Sequence, residues 1–150
     1  MTQIHAYLSF NGNCREAMTF YRDCIGGDLM LQPVKGTPAE GQDCVGSADS
    51  ILHSSLTGDG FLLMASDMVG REGFRVGTNL SLSVACSSEE QMQSYFTNLS
   101  SGGNVIEPIK EQFWGDTFGA LTDKYGVCWM FIYNKNIHSS DQNKMHHENF

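Results

Sequence analysis

Asn13-Cys14-Arg15-Glu16-Ala17-Met18-Thr19-Phe20-Tyr21-Arg22-Asp23-Cys24-Ile25-Gly26-Gly27, followed by Pro33-Val34-Lys35, returns in altered form as Ser88-Glu89-Glu90-Gln91-Met92-Gln93-Ser94-Tyr95-Phe96-Thr97-Asn98-Leu99-Ser100-Ser101-Gly102, followed by Pro108-Ile109-Lys110. The echo is offset by 75 in a chain of 150 residues, so the sequence reads as two copies of one unit. Asn13 with Glu16, and Ser88 with Gln91, have the spacing of a capping box, in which an N-cap side chain and the side chain three residues on satisfy the first helical N–H groups. Ala17, Phe20, Tyr21 and Cys24 stand at i, i+3, i+4 and i+7, and Met92, Tyr95, Phe96 and Leu99 repeat the pattern, which predicts one apolar helix face per copy. Gly27 matches Gly102 beyond each helix. Two such copies can pair about a pseudo-twofold axis and enclose a cleft, the usual place for a small ligand.

Outward from the first helix, Ile4 to Phe10 alternates as a strand and Leu29 to Val34 forms a second. Lys35 to Ser50 is rich in Gly, Pro, Asp and Ser and predicts a mobile loop over 36–50. Ile51 to Leu56 and Phe61 to Ser66 form a hairpin around Thr57-Gly58-Asp59-Gly60. The second copy repeats the order with strands at Leu80 to Cys86, Val105 to Lys110, Phe118 to Thr122 and Val127 to Tyr133. The expected class is α+β: two tandem βαβββ modules in one domain over 1–134, module one at 1–67, a link at 68–78 and module two at 79–134. Residues 135–150, with His138, His146 and His147, read as a polar tail; the His146-His147 pair has no second ligand cluster beside it.

Composition narrows the function. At 41% apolar residues the chain can bury one good core, and it carries no basic-then-apolar leader pattern and no long apolar run, so a soluble cytoplasmic protein with no membrane contact is expected. Five cysteines, Cys14, Cys24, Cys44, Cys86 and Cys128, are odd in number and lack CxxC spacing, which speaks against a disulfide framework and against a zinc knuckle. A net charge of -8 with no Lys/Arg cluster repels phosphate backbones, so nucleic acid is not an expected partner and a neutral or cationic small molecule is.

Pairing strands across the two copies sets His5 against Asn79 and Met64 against Met130, four positions near the axis of the expected cleft. One imidazole, one amide and two thioethers are a poor cage for zinc, magnesium or iron. The stretches Tyr7-Leu8-Ser9-Phe10-Asn11-Gly12-Asn13-Cys14, Phe113-Trp114-Gly115-Asp116 and Thr122-Asp123-Lys124-Tyr125-Gly126-Val127-Cys128-Trp129-Met130 resemble the PhnB-like branch of the glyoxalase, bleomycin-resistance and dioxygenase superfamily, also called vicinal oxygen chelate. The resemblance covers about residues 3–134 and implies paired βαβββ modules and a homodimer. It also implies that the four ligands of metal-dependent members sit at His5, Met64, Asn79 and Met130, of which only His5 keeps a ligand type. Members of the branch often carry a 3-demethylubiquinone 3-methyltransferase label, but no glycine-rich loop after a strand is present here to hold a methyl donor.

The remaining candidates each carry a functional and a structural reading. His5, Tyr7 and Ser9 alternate on one strand face and either line the cleft or form its hydrogen-bonded wall. His53 is a candidate base or a satisfied structural histidine, Asp67 a proton acceptor or a turn carboxylate, and Glu111 likewise. Trp114 sits in a loop before Gly115-Asp116 and is a candidate ligand-facing aromatic. Ligand contacts are therefore expected from Tyr7, Ser9, Met64, Asp67, Asn79, Trp114 and Met130, and catalysis, if any, from His53 or His5. One expected function is small-molecule sequestration without a resident cofactor. The other is an enzyme of lyase, isomerase or dioxygenase type acting on a small oxygenated metabolite, with His5 or His53 as base and a divalent metal held on His5 by substrate and water.

Overall fold

The computed structural model describes residues 1–40, 49–67 and 73–135. The middle of the expected 36–50 loop with Cys44, the first part of the 68–78 link, and the tail beyond Lys135 with its three histidines lie outside the described residues. Two compact units divide the chain, Met1–Arg75 and Val76–Phe150.

The first unit runs β1 (Ala6–Ser9), α1 (Cys14–Ile25), β2 (Asp28–Pro33), β3 (Ile51–Gly58) and β4 (Phe61–Ser66); the second runs β5 (Ser81–Ala85), α2 (Glu89–Ser100), β6 (Asn104–Glu111), β7 (Thr117–Thr122) and β8 (Cys128–Tyr133). This is the expected βαβββ order, twice. Each unit has one four-stranded mixed sheet, ordered β1-β4-β3-β2 and β5-β8-β7-β6, with the outer strand parallel to its neighbour and the hairpins antiparallel. The first strand is shorter than its alternation predicts, and His5 lies just before it.

One face of each sheet packs on its helix. In the first unit Leu56, Leu63 and Ala65 are buried with Cys14, Ala17, Met18, Tyr21 and Cys24 of α1. The buried face differs from the expected one in that Met18 is fully enclosed while Phe20 is half-buried at its edge. In the second unit Leu121, Trp129 and Phe131 pack with Met92, Phe96 and Leu99 of α2, and the Phe96 and Phe131 rings meet edge to face at 5.6 Å. Burying each of the larger side chains contributes about 1.5–3 kcal/mol.

The two helices start differently. In α2 the Ser88 hydroxyl accepts from the Gln91 N–H at 3.0 Å, and the Gln91 side chain returns to the Ser87 N–H at 2.9 Å, so the box closes one residue early. In α1 the Asn13 side chain makes no capping bond. Asp67, at the end of β4, does the work instead: its Oδ1 accepts from the N–H groups of Gly12 and Cys14, both at 2.9 Å, and its Oδ2 from the Ile51 N–H at 2.8 Å. A carboxylate is a stronger acceptor than an amide and complements the positive end of the helix, which is why it displaces the local cap.

Beyond each helix a glycine pair allows close passage. A Cβ on Gly27 would meet the Thr57 carbonyl oxygen at 2.9 Å, and one on Gly103 would collide with the Thr122 carbonyl oxygen. Gly27 therefore corresponds in role to Gly103 rather than to Gly102, because each lies against the backbone of its hairpin.

Candidate functional site

Side chains alternate across a strand, so the sheet face away from α1 can be read from the ladders. In the first unit Tyr7 stands opposite Met64, Met64 opposite Ser55, and Ser55 opposite Met30, a single row across all four strands. Two residues along β3 from Ser55, on the same face, comes His53, whose partner on β2 is Gln32. Tyr7 and His53 belong to strands separated by β4, roughly 10 Å apart by strand spacing. The tyrosine side chain bridges that gap. Its hydroxyl lies 3.2 Å from His53 Nδ1, and the two rings stack with centroids 5.8 Å apart and planes inclined by 30°. Tyr7 remains 48% exposed, so the pair is accessible rather than sealed in the core. Among the described residues His53 Nε2 has no hydrogen-bond partner, and neither do the Ser9 and Ser55 hydroxyls.

The sequence groups Tyr7 and Ser9 on one strand face with His5 and offers His53 and Met64 separately, and the fold places Tyr7, Ser9, His53 and Met64 on this face. Ser55, Met30 and Gln32 were not singled out. The period-2 step from His53 marks Ser55, but Met30 and Gln32 emerge only from the β2–β3 register, which a single sequence does not encode locally.

The other candidates lie elsewhere. His5 is exposed before β1, with Nε2 bonded at 2.9 Å to the Gln3 side chain. Asp67 is 5% exposed and its carboxylate is engaged by three backbone donors, so it serves the junction of β4, α1 and β3. Trp114 is exposed at the β6–β7 turn, where its Nε1 donates to Asp116 Oδ2 at 2.9 Å while the Asn134 side chain donates to Oδ1. Phe113 meets it edge to face at 4.8 Å. Glu111 pairs with Lys135 at 3.6 Å.

In the second unit the row matching Tyr7–Met64–Ser55 is Ser83–Met130–Ala120, which lacks the phenol, and Phe118 stands where the first unit has His53. Phe10 N–H to Ser66 O and Cys86 N–H to Ile132 O extend the two ladders in the same way. On these registers Met64 corresponds to Met130, as expected, and His5 to Ser81. Asn79 lies two residues earlier, exposed in the bend before β5. The expected His5–Asn79 pairing is corrected because the loop between β5 and α2 is one residue shorter than that between β1 and α1, so the slack runs the opposite way.

Asp123 was not singled out, yet it is 3% exposed and accepts from the Tyr125 N–H at 2.8 Å, the Val127 N–H at 3.1 Å and Trp129 Nε1 at 2.8 Å. An Asp opening a turn that closes on Gly126 is the readable signal. The stretch 122–130 is thus a turn pinned to a core tryptophan.

No three His, Cys, Asp or Glu side chains converge on a metal-sized centre among the described residues. On the corrected register the four positions carry one imidazole, one hydroxyl and two thioethers, a donor set that does not fit a hard or borderline divalent ion. The second unit also has an open groove of about 460 Å³ at the start of α2, lined among others by Glu89, Glu90, Gln93, Ile109 and Lys110. Burial raises the Cys14 thiol to about 11, only partly offset by its contact with Ser54, and raises Cys86 to about 11. Neither is a nucleophile at neutral pH.

A family model described as 3-demethylubiquinone-9 3-methyltransferase matches residues 2–132. The chain belongs to that family. Protein YjdN of Escherichia coli K12 is 30% identical over 135 residues, covering 83% of this chain and 90% of that one. Among solved structures, protein PA1353 from Pseudomonas aeruginosa is 36% identical with a TM-score of 0.76, covering 89% of this chain and 98% of that one. A putative 3-demethylubiquinone-9 3-methyltransferase, PhnB protein, from Bacillus cereus is 26% identical with a TM-score of 0.70, covering 88% and 99%. The PhnB-like chain also shares its fold with a glyoxylase/bleomycin resistance protein/dioxygenase domain from Frankia, at 16% identity and a TM-score of 0.56 over 99% of both chains. No helix among the described residues is long and apolar enough to cross a membrane.

Proposed function

We propose that this PhnB-like protein binds a small organic molecule on the β1–β4–β3–β2 face away from α1, with Tyr7 and His53 as its polar contacts and Met64 and Met30 as its apolar floor. The observation that carries the reading is the stacked, hydrogen-bonded Tyr7–His53 pair, accessible and joined across β4. Unbranched thioethers suit an adaptable apolar surface, and the Ser9 and Ser55 hydroxyls flank it with further donors.

Methyl transfer, which the family description names, is not part of this reading. The loop between β1 and α1 presents its Gly12 and Cys14 N–H groups to Asp67, so those donors are taken. The protein works without a resident cofactor, in the cytoplasm, where its buried free thiols Cys14, Cys24 and Cys86 suit a reducing environment. It acts as a homodimer, for which the exposed Val105, Ile106, Phe113 and Trp114 speak.

The Tyr7–His53 bond also favours a second reading, an acid–base enzyme of lyase or isomerase type, because an imidazole oriented by a phenol is a proton-transfer group. Thermal-shift screening of wild type, Tyr7→Phe and His53→Ala against small aromatic and oxygenated metabolites separates the readings. Binding weakened in both variants supports the site. Turnover of a hit that disappears in His53→Ala while binding persists supports the enzyme, and hits unaffected by either substitution contradict the site.

A further inference from the structure

We infer that Tyr7 is a positioning residue that fixes the tautomer of His53, so that the site presents an Nε2–H donor and selects neutral molecules bearing a carbonyl oxygen. The inference rests on the binding reading above and names its ligand class.

Two arrangements satisfy a 3.2 Å contact between a phenol and a neutral imidazole: the O–H donates to a bare Nδ1, or an Nδ1–H donates to the phenolic oxygen. The first is favoured because the phenol is the more acidic donor and the unprotonated ring nitrogen the more basic acceptor. With Nδ1 occupied as acceptor, the single proton of neutral His53 sits on Nε2. That nitrogen has no partner among the described residues, so it is the donor left for a ligand.

A donor presented beside two thioethers sorts ligand classes. A cation is repelled by an N–H donor and finds no carboxylate on this row, whose members are Tyr7, Met64, Ser55 and Met30. An anion gains the donor but meets a chain of net charge -8. A neutral carbonyl compound satisfies Nε2–H with its oxygen and covers Met64 and Met30 with its apolar body. In the same state Nε2 has no lone pair with which to accept a proton, so neutral His53 meets a ligand as a hydrogen-bond donor, and the acid–base reading requires the other tautomer.

Long-range ¹⁵N–¹H NMR correlations on full-length, histidine-labelled protein test the first half with no ligand present. The expected result is His53 wholly in the Nε2–H form in wild type and a mixture of tautomers in Tyr7→Phe, a change that loss of packing alone does not produce. Titration with the matched pair 1-indanone and indane, followed by amide shifts of β1, β3 and β4, tests the second half. Indanone is expected to bind about tenfold more tightly than indane, and Tyr7→Phe to reduce that preference by about 3- to 10-fold. His53 in the Nδ1–H form, or equal binding of the two compounds to this face, overturns the inference and leaves the binding site standing. Absence of any shift on this face with either compound overturns the ligand class, and the same absence across the wider metabolite screen overturns the binding site itself.

Discussion

Asp67 shows how far one side chain can organise this fold. It was legible in the sequence as a carboxylate after a strand, with no local hint that its oxygens would reach residues 12, 14 and 51. Removing it leaves three N–H donors without their acceptor, two of them on the entry to α1. Asp67→Ala should lower the unfolding free energy by about 2–4 kcal/mol in urea titrations, and a loss below about 1 kcal/mol would show that water replaces the carboxylate there. Tyr7 and His53 present the opposite case. Their residue types were readable as candidates, but their contact depends on the parallel pairing of β1 with β4, which local patterning does not specify.

The buried thiols make a second residue-scale prediction. The folded values of about 11 for Cys14 and Cys86 lie above the ordinary 9.0, so the fold favours the neutral thiols. Their contribution is fully present below about pH 9 and is lost as pH rises through about 11, because the unfolded chain releases those protons first. The unfolding midpoint should therefore fall across this window, and Cys14→Ala with Cys86→Ala should flatten the slope. Native protein at pH 8 should leave Cys14, Cys24 and Cys86 unmodified by iodoacetamide, with urea exposing all three; rapid native labelling of Cys14 would contradict its burial.

At the scale of elements the order βαβββ was legible because the helix period and the strand period alternate cleanly along the chain. The boundaries were less so. The first strand loses two residues at its start, and the burial of Met18 in place of Phe20 follows from how α1 lies on β2, β3 and β4. The glycine pairs after each helix were readable as terminators, but the reason for the second member was not. Gly103 passes so close to the Thr122 carbonyl that a methyl group needs backbone movement. Gly103→Ala should cost about 1–3 kcal/mol by thermal or urea unfolding, whereas Gly60→Ala, with open space around its Cβ position, should show only the smaller penalty of its positive φ.

Across the whole molecule, duplication was the most informative feature of the sequence, and the two units share element order and ladder arrangement. The family follows from the match over 2–132 and from the YjdN and PA1353 likenesses. The copies have diverged in chemistry: the first sheet's row carries Tyr7, Met64, Ser55 and Met30 where the second's carries Ser83, Met130, Ala120 and Glu107, and Phe118 stands at the position of His53. The motifs that made the family recognisable, such as 122–130, hold turns and core residues in place, while the Tyr7–His53 pair is assembled from strands 46 residues apart. That separation is why the family was easier to read from the sequence than the site.

On the proposed function, the first unit's sheet face binds a small molecule through Tyr7 and His53. The most direct test is an amide ¹H–¹⁵N NMR map of the full chain titrated with hits from a metabolite screen. Saturable shifts clustered at Tyr7, Ser9, His53, Ser55 and Met64, and weakened in Tyr7→Phe, are the expected result. Shifts confined to the second unit, for example around Glu89, Gln93 and Lys110 beside the groove of about 460 Å³, would contradict it.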